Sequence, residues 1–172
     1  MRQETIRRLK SALWFLVRLN LLAIPLYLIT YFGYSVPQFQ DAWAAALGQS
    51  LGAFGYENVV DGHTIGVKAG NTTHQIDFSW DSTGWKSLYA LTALVFASGI
   101  GSLRGKLRFL AFGLPLIIFV NFFRVDTTIL FSLATDFAYF DLVHTFLWGG
   151  LMTGFVLAVW YLLFFKEKDN SR

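Results

Sequence analysis

The 172-residue chain is 55% hydrophobic and 18% aromatic, with a mean hydropathy of +0.48, too apolar for a water-soluble domain of this size; it reads as an integral membrane protein. The net charge of +3 is not gathered into one stripe but flanks apolar runs, so the basic residues orient helices in a bilayer and nucleic acid is not a partner. Cysteine is absent, which excludes disulfides and thiolate metal sites.

The pattern predicts an all-α polytopic membrane protein with four transmembrane helices, and an outer amphipathic helix and small β-hairpin between the first and second. Arg2, Arg7, Arg8 and Lys10 precede the first span, 11–34, which ends in bulky aromatics and is read as a retained helix rather than a cleaved leader. Arg18 lies near enough to the inner side to snorkel, and Pro25 is positioned to kink the helix. Residues 35–81 are then extracytoplasmic. Phe39, Trp43, Leu47 and Leu51 recur every four residues, with Phe54 three later, predicting an amphipathic helix from Gln38 to Phe54 on the outer membrane surface.

Asp61-Gly62 and Gly70-Asn71 are turn signals beside short alternating segments, Ile65 and Val67 in one and Ile76 and Phe78 in the other, which predicts the hairpin. His63 and His74 fall on its strands, where a cross-strand metal pair is one reading. With no carboxylate or cysteine set beside them, ordinary strand residues is the preferred reading, and no metal or cofactor is assigned. Asn71-Thr72-Thr73 fits an N-glycosylation acceptor and agrees with an outer position. The remaining spans are 83–101, 109–131 and 143–165. Arg104, Lys106 and Arg108 fill the loop between the second and third, and Lys166, Lys168 and Arg172 follow the fourth, whereas 132–141 carries no Lys or Arg; both termini are therefore cytoplasmic.

This topology brings three polar positions to one depth near the outer surface: Ser82 at the start of the second span, Arg124 in the third and His144 at the start of the fourth. Arg124 is sixteen residues beyond Arg108, about 24 Å along a helix axis. Asn121, three residues earlier, shares its face and is placed to hold the guanidinium. Read singly, Ser82 or Asp81 caps a helix, His144 bonds a carbonyl, and Arg124 pairs with Asp126 or Asp136. Together they supply a nucleophile position, a base and a fixed cation for an oxyanion, the requirements of acyl transfer.

At these residues the sequence resembles the exosortase and archaeosortase family of membrane-embedded cysteine transpeptidases. The family pattern is Cys followed by Ser or Thr and Gly at the outer start of a helix, Asn-x-x-Arg in the next, and His at the start of the one after. Ser82-Thr83-Gly84, Asn121-Phe122-Phe123-Arg124 and His144 match in order and spacing. The resemblance implies a nucleophile at position 82, His144 as base and acid, and Arg124 as oxyanion stabiliser. It also implies substrate proteins bearing a C-terminal sorting signal (a short motif, a transmembrane helix and a basic tail), cleaved at the outer face of a prokaryotic cell membrane, with a lipid or other anchor as acceptor. The extracytoplasmic segment is expected to form a lid over the site.

Two departures stand out. Many members have more than four spans, making this a short form, and residue 82 is Ser where the family has Cys. A hydroxyl is far less acidic than a thiol, so the chain is read as an inactive Cys-to-Ser form. A serine enzyme is the alternative, with Lys86 four residues from Ser82 on one helical face as its base. A non-enzymatic small membrane transporter or assembly factor is the reading from another class. It is disfavoured because the second and fourth spans are almost wholly apolar below their outer ends.

Overall fold

The computed structural model describes residues 2–70, 72–140 and 142–169, with side chains for all of these except 2, 145–149 and 163–169. The elements in order are α1 (Arg2–Tyr31), α2 (Pro37–Ala53), β1 (Asn58–Asp61), β2 (Thr64–Ala69), β3 (Thr72–Asp77), a 3₁₀ turn (Trp80–Thr83), α3 (Trp85–Ala97), α4 (Leu103–Ala134), a π turn (Leu142–Leu147) and α5 (Trp148–Asp169). They fall into two units. Met1–Tyr34, Lys86–Leu116 and Gly154–Arg172 form one, and Ser35–Trp85 and Ile117–Thr153 form the other.

The first unit is helical. None of the apolar window of α1 is buried in the protein, and Leu13, Trp14, Leu21, Ile24 and Tyr27 are all exposed. Such a helix is stable where lipid, not water, is the solvent. Its contacts within the unit include the Tyr89 hydroxyl donating to the Leu22 carbonyl at 2.6 Å and Phe15 stacking on Trp160 at 5.7 Å. Gly113 on α4 lies where an added Cβ would come 3.1 Å from Leu91 of α3, so a small residue lets these helices approach.

Among the described residues, two helices are long and apolar enough to cross a membrane, Gln3–Tyr31 and Leu103–Ala134, while Trp85–Ala97 and Gly150–Leu162 are shorter apolar helices. The second predicted span, 83–101, is thus cut at both ends: Gly84 breaks the backbone before it, and the helix stops at Ala97. At 1.5 Å per residue it covers only about 20 Å. The basic loop predicted around Arg104–Arg108 is instead the first turns of α4, started by Ser102, whose Oγ accepts the Gly105 N–H at 3.2 Å.

The second unit holds the water-type core. On α2, the buried positions Gln40, Trp43, Ala44, Leu47, Gly48 and Leu51 follow helical spacing. They meet Ile65 and Val67 of β2, Phe78 beyond β3, and Val125, Ile129 and Leu133 of α4. The apolar stripe seen in the sequence is therefore spent on the protein's own core, correcting its placement on a bilayer surface; Phe54, past the end of α2, is exposed. Gln40, on the expected polar face, is buried and donates to the Phe78 carbonyl at 2.9 Å.

The predicted hairpin is a three-stranded antiparallel sheet ordered β1-β2-β3. β1 pairs Val59 with Gly66 and Val60 with Ile65, and β3 pairs Ile76 with Ile65 and His74 with Val67. Gly62 and Gly70 take left-handed φ values of +56° and +59° at the two turns. Asn71, the position of the glycosylation pattern, lies outside the described residues. The cross-hairpin histidine pair does not form: His63 sits in the β1–β2 turn, 3.5 Å from Asp41 and 3.7 Å from Asp77, whereas His74 faces Asp136 at 3.8 Å.

Leu47 is 0% exposed at the centre of this core. Leu47→Ala is expected to destabilise the second unit by about 2–5 kcal/mol, read from the denaturant midpoint of tryptophan fluorescence, whereas Phe54→Ala should shift it little.

Candidate active site

Ser82 lies in a tightly wound turn that side chains hold in place. Ser79 Oγ accepts the Ser82 N–H at 3.3 Å and lies 2.9 Å from Ser82 Oγ, so the two hydroxyls are bonded. The Thr83 hydroxyl donates to the Trp80 carbonyl at 2.7 Å and accepts from the Trp85 N–H at 3.4 Å, capping α3. Asp81 Oδ1 accepts from the Trp85 indole N–H at 3.4 Å, and the Trp80 and Trp85 rings stack at 5.7 Å.

Gly84 ends this turn with φ +78°. A Cβ there would lie 2.7 Å from Cγ and 2.8 Å from Nδ2 of Asn121. Only glycine satisfies both the left-handed backbone and this approach. The amide uses the space to donate from Nδ2 to the Ser82 carbonyl at 2.9 Å. Asn121 is 1% exposed. Its expected role therefore changes: it holds the turn that carries Ser82, not the Arg124 guanidinium.

The interval from Ser82 to Lys86 does not lie within one continuous helix. The i,i+4 spacing places two residues on one face only within a continuous helix, and the left-handed residue between them divides a 3₁₀ turn from α3.

Arg124 and Asn121 lie one turn apart on α4. Among the described residues, buried Arg124 Nε has no hydrogen-bond partner and no carboxylate pairs with Arg124. Asp126 is two residues on, about 200° around the helix, where it faces the Ser50 hydroxyl. Asp136 is turned to His74. The neighbouring hydroxyls are internally satisfied: Thr128 and Ser132 donate to the carbonyls of Arg124 and Thr128, each at 2.7 Å.

His144 sits in the π turn, its ring stacked on Phe140 at 5.1 Å and 9° between planes. Phe140 in turn contacts Phe137 at 6.0 Å, and Phe137 packs on His74 of β3 at 4.8 Å. The chain reaches this arrangement through left-handed φ angles at Asp136 and Phe137, +49° and +59°, a strained choice for residues other than glycine.

Ser82, Arg124 and His144 line one cavity of about 60 Å³, with Asp77, Phe78 and Thr128 also in its wall. This is room for a few water molecules or one small group. The end of β3 thus forms part of the wall. Ser79, Asp77 and Thr128 were missed in the sequence; Thr128, four residues after Arg124 on the same face, was the detectable one.

Compared with protein families, residues 6–164 match the model described as transmembrane exosortase. No curated protein and no solved structure matches the chain.

Asn121→Ala is expected to lower stability by about 1–3 kcal/mol by orphaning the Ser82 carbonyl, and Gly84→Ala to lower it at least as much. Removing the amide makes room for the new methyl, so the double variant should be destabilised by less than the sum of the singles. Thermal unfolding of the four proteins in one detergent tests this; simple additivity would separate the two residues.

Proposed function

The chain belongs to the transmembrane exosortase family, and from that premise we propose that its cavity carries out acyl transfer on membrane-anchored substrate proteins bearing a C-terminal sorting signal. Family membership makes it a membrane protein of transpeptidase type. The observation that carries the finer reading is the cavity shared by Ser82, Arg124 and His144, with the buried Arg124 Nε without a hydrogen-bond partner among the described residues.

In this proposal the side chain at 82 attacks the scissile carbonyl while His144 accepts its proton. The carbonyl oxygen becomes an oxyanion beside Arg124, whose unused donor is already desolvated and needs no other bond to be broken. Collapse breaks the C–N bond, His144 returns the proton to the leaving amine, and the acyl group stays on residue 82. Attack by water releases the cleaved protein; attack by a lipid or other anchor joins the new end to it.

Position 82 carries a hydroxyl, and its contact with Ser79 gives that hydroxyl a competing partner. A thiolate there would be stabilised by the same cation, so the site suits cysteine better than serine. We place the cavity on the extracytoplasmic side of the cell membrane with both termini cytoplasmic, supported by the Lys and Arg at the ends of the chain.

In membranes, Ser82→Cys is expected to form a thioester with a peptide carrying a sorting signal and to alkylate well below the free-thiol range of about 8.5. Adding Arg124→Lys should slow acylation about 10²–10³-fold, because an ammonium does not reproduce the guanidinium's donor geometry. If the thiol of the Ser82→Cys variant titrates like free cysteine, and turnover is indifferent to His144→Ala, this mechanism is excluded.

A further inference from the structure

We propose that a crevice in the first unit, between α1, the α3–α4 connection and Trp160, binds the phosphate headgroup of an anionic membrane phospholipid. This site is separate in residues and chemistry from the acyl-transfer cavity.

Arg7, Lys10 and Arg18 line a cavity of about 1000 Å³ together with Ser98, Ile100 and Trp160. At 100° per residue these three cations fall within about 80° of one another on α1, so they form one stripe. Among the described residues no carboxylate pairs with any of them; the nearby Glu4 is committed to Arg8 at 2.6 Å. Arg18 reaches over Gly99, its Nη1 3.6 Å from where a Cβ would stand, so a side chain longer than a methyl at 99 would enter the guanidinium's space. Lys106 already donates to the Ser98 carbonyl at 2.6 Å. The cations of α1 thus converge on a cleft whose lining residues include no carboxylate.

The occupant that fits is a lipid. α1 is unburied along its apolar window and so faces hydrocarbon, and the crevice is lined by the N-terminal part of that helix, where Arg7, Lys10 and Arg18 fall. Its walls include Trp14 and the stacked pair Phe15 and Trp160, aromatic rings of the kind that sit at headgroup level. A free phosphate would use the cations but not those walls, whereas a phospholipid headgroup with its glycerol uses both.

The test is native mass spectrometry of the full chain in neutral detergent, with dioleoylphosphatidylglycerol or dioleoylphosphatidylcholine added. Preference for the anionic lipid of at least about tenfold is expected. The triple variant Arg7→Gln, Lys10→Gln, Arg18→Gln should bring retention down to that of the zwitterionic lipid. Gly99→Leu keeps every cation but fills the space and should also lower it. Arg104→Gln, a cation outside the crevice, should not. If the triple variant fails to fold by thermal melt, Arg18→Gln alone and Gly99→Leu decide. Equal retention of both lipids, or a preference unmoved by these variants, would overturn the proposal. Displacement of the lipid by millimolar inorganic phosphate would overturn it in favour of a free anion.

Discussion

The hydrogen bond from Asn121 Nδ2 to the Ser82 carbonyl, 2.9 Å long, is the constraint on which the candidate site depends. It joins a short polar turn to a long apolar helix. It needs a residue without Cβ at 84 and a left-handed backbone at the same place. A turn leading out of a sheet would otherwise be free to rotate its side chains toward solvent. The amide fixes the turn by its backbone, so the Ser82 side chain is not needed to anchor it. Gly84 and Asn121 are distant in sequence but act as one contact.

A cation inside an apolar helix is the second constraint. A buried donor without a partner destabilises a fold by about 1–3 kcal/mol, and the hydroxyls around Arg124 avoid that loss by bonding back to their own helix. Arg124 Nε does not. The angular separation of Arg124 from Asp126 prevents self-neutralisation, and the strained turn after α4 directs Asp136 to His74 instead. The same turn brings Phe140 against the His144 ring. The irregular backbone between α4 and α5 is thus what orients the proposed base, and it does so through aromatic contacts traceable back to the sheet.

The small sheet and α2 occupy what hydropathy alone treats as a loop between spans, but they make the only core of mixed helix and strand among the described residues. Packing α4 against that core gives Val125 and Ile129 fixed partners, and these two residues also line the cavity beside Arg124. Rigidity at the site therefore comes from hydrophobic burial outside the helical unit, which tolerates the exposed apolar surface that a bilayer would cover.

Apolar run length, turn signals and the spacing of Ser82, Asn121, Arg124 and His144 were legible in the sequence by themselves, because period, composition and motif order are one-dimensional properties. They determined the helical membrane class, α2, the strands around Ile65 and Ile76, and the three residues that share the cavity. What stayed hidden depends on contacts between distant segments. β1 is too short for its alternation to announce it. Whether the α2 stripe meets lipid or protein depends on what packs against it. The role of Asn121 turned on a glycine 37 positions away, and the break between the Ser82 turn and α3 on a single φ angle. Those were decided by the tertiary structure, since a side chain's partner is set by the space the whole fold leaves around it.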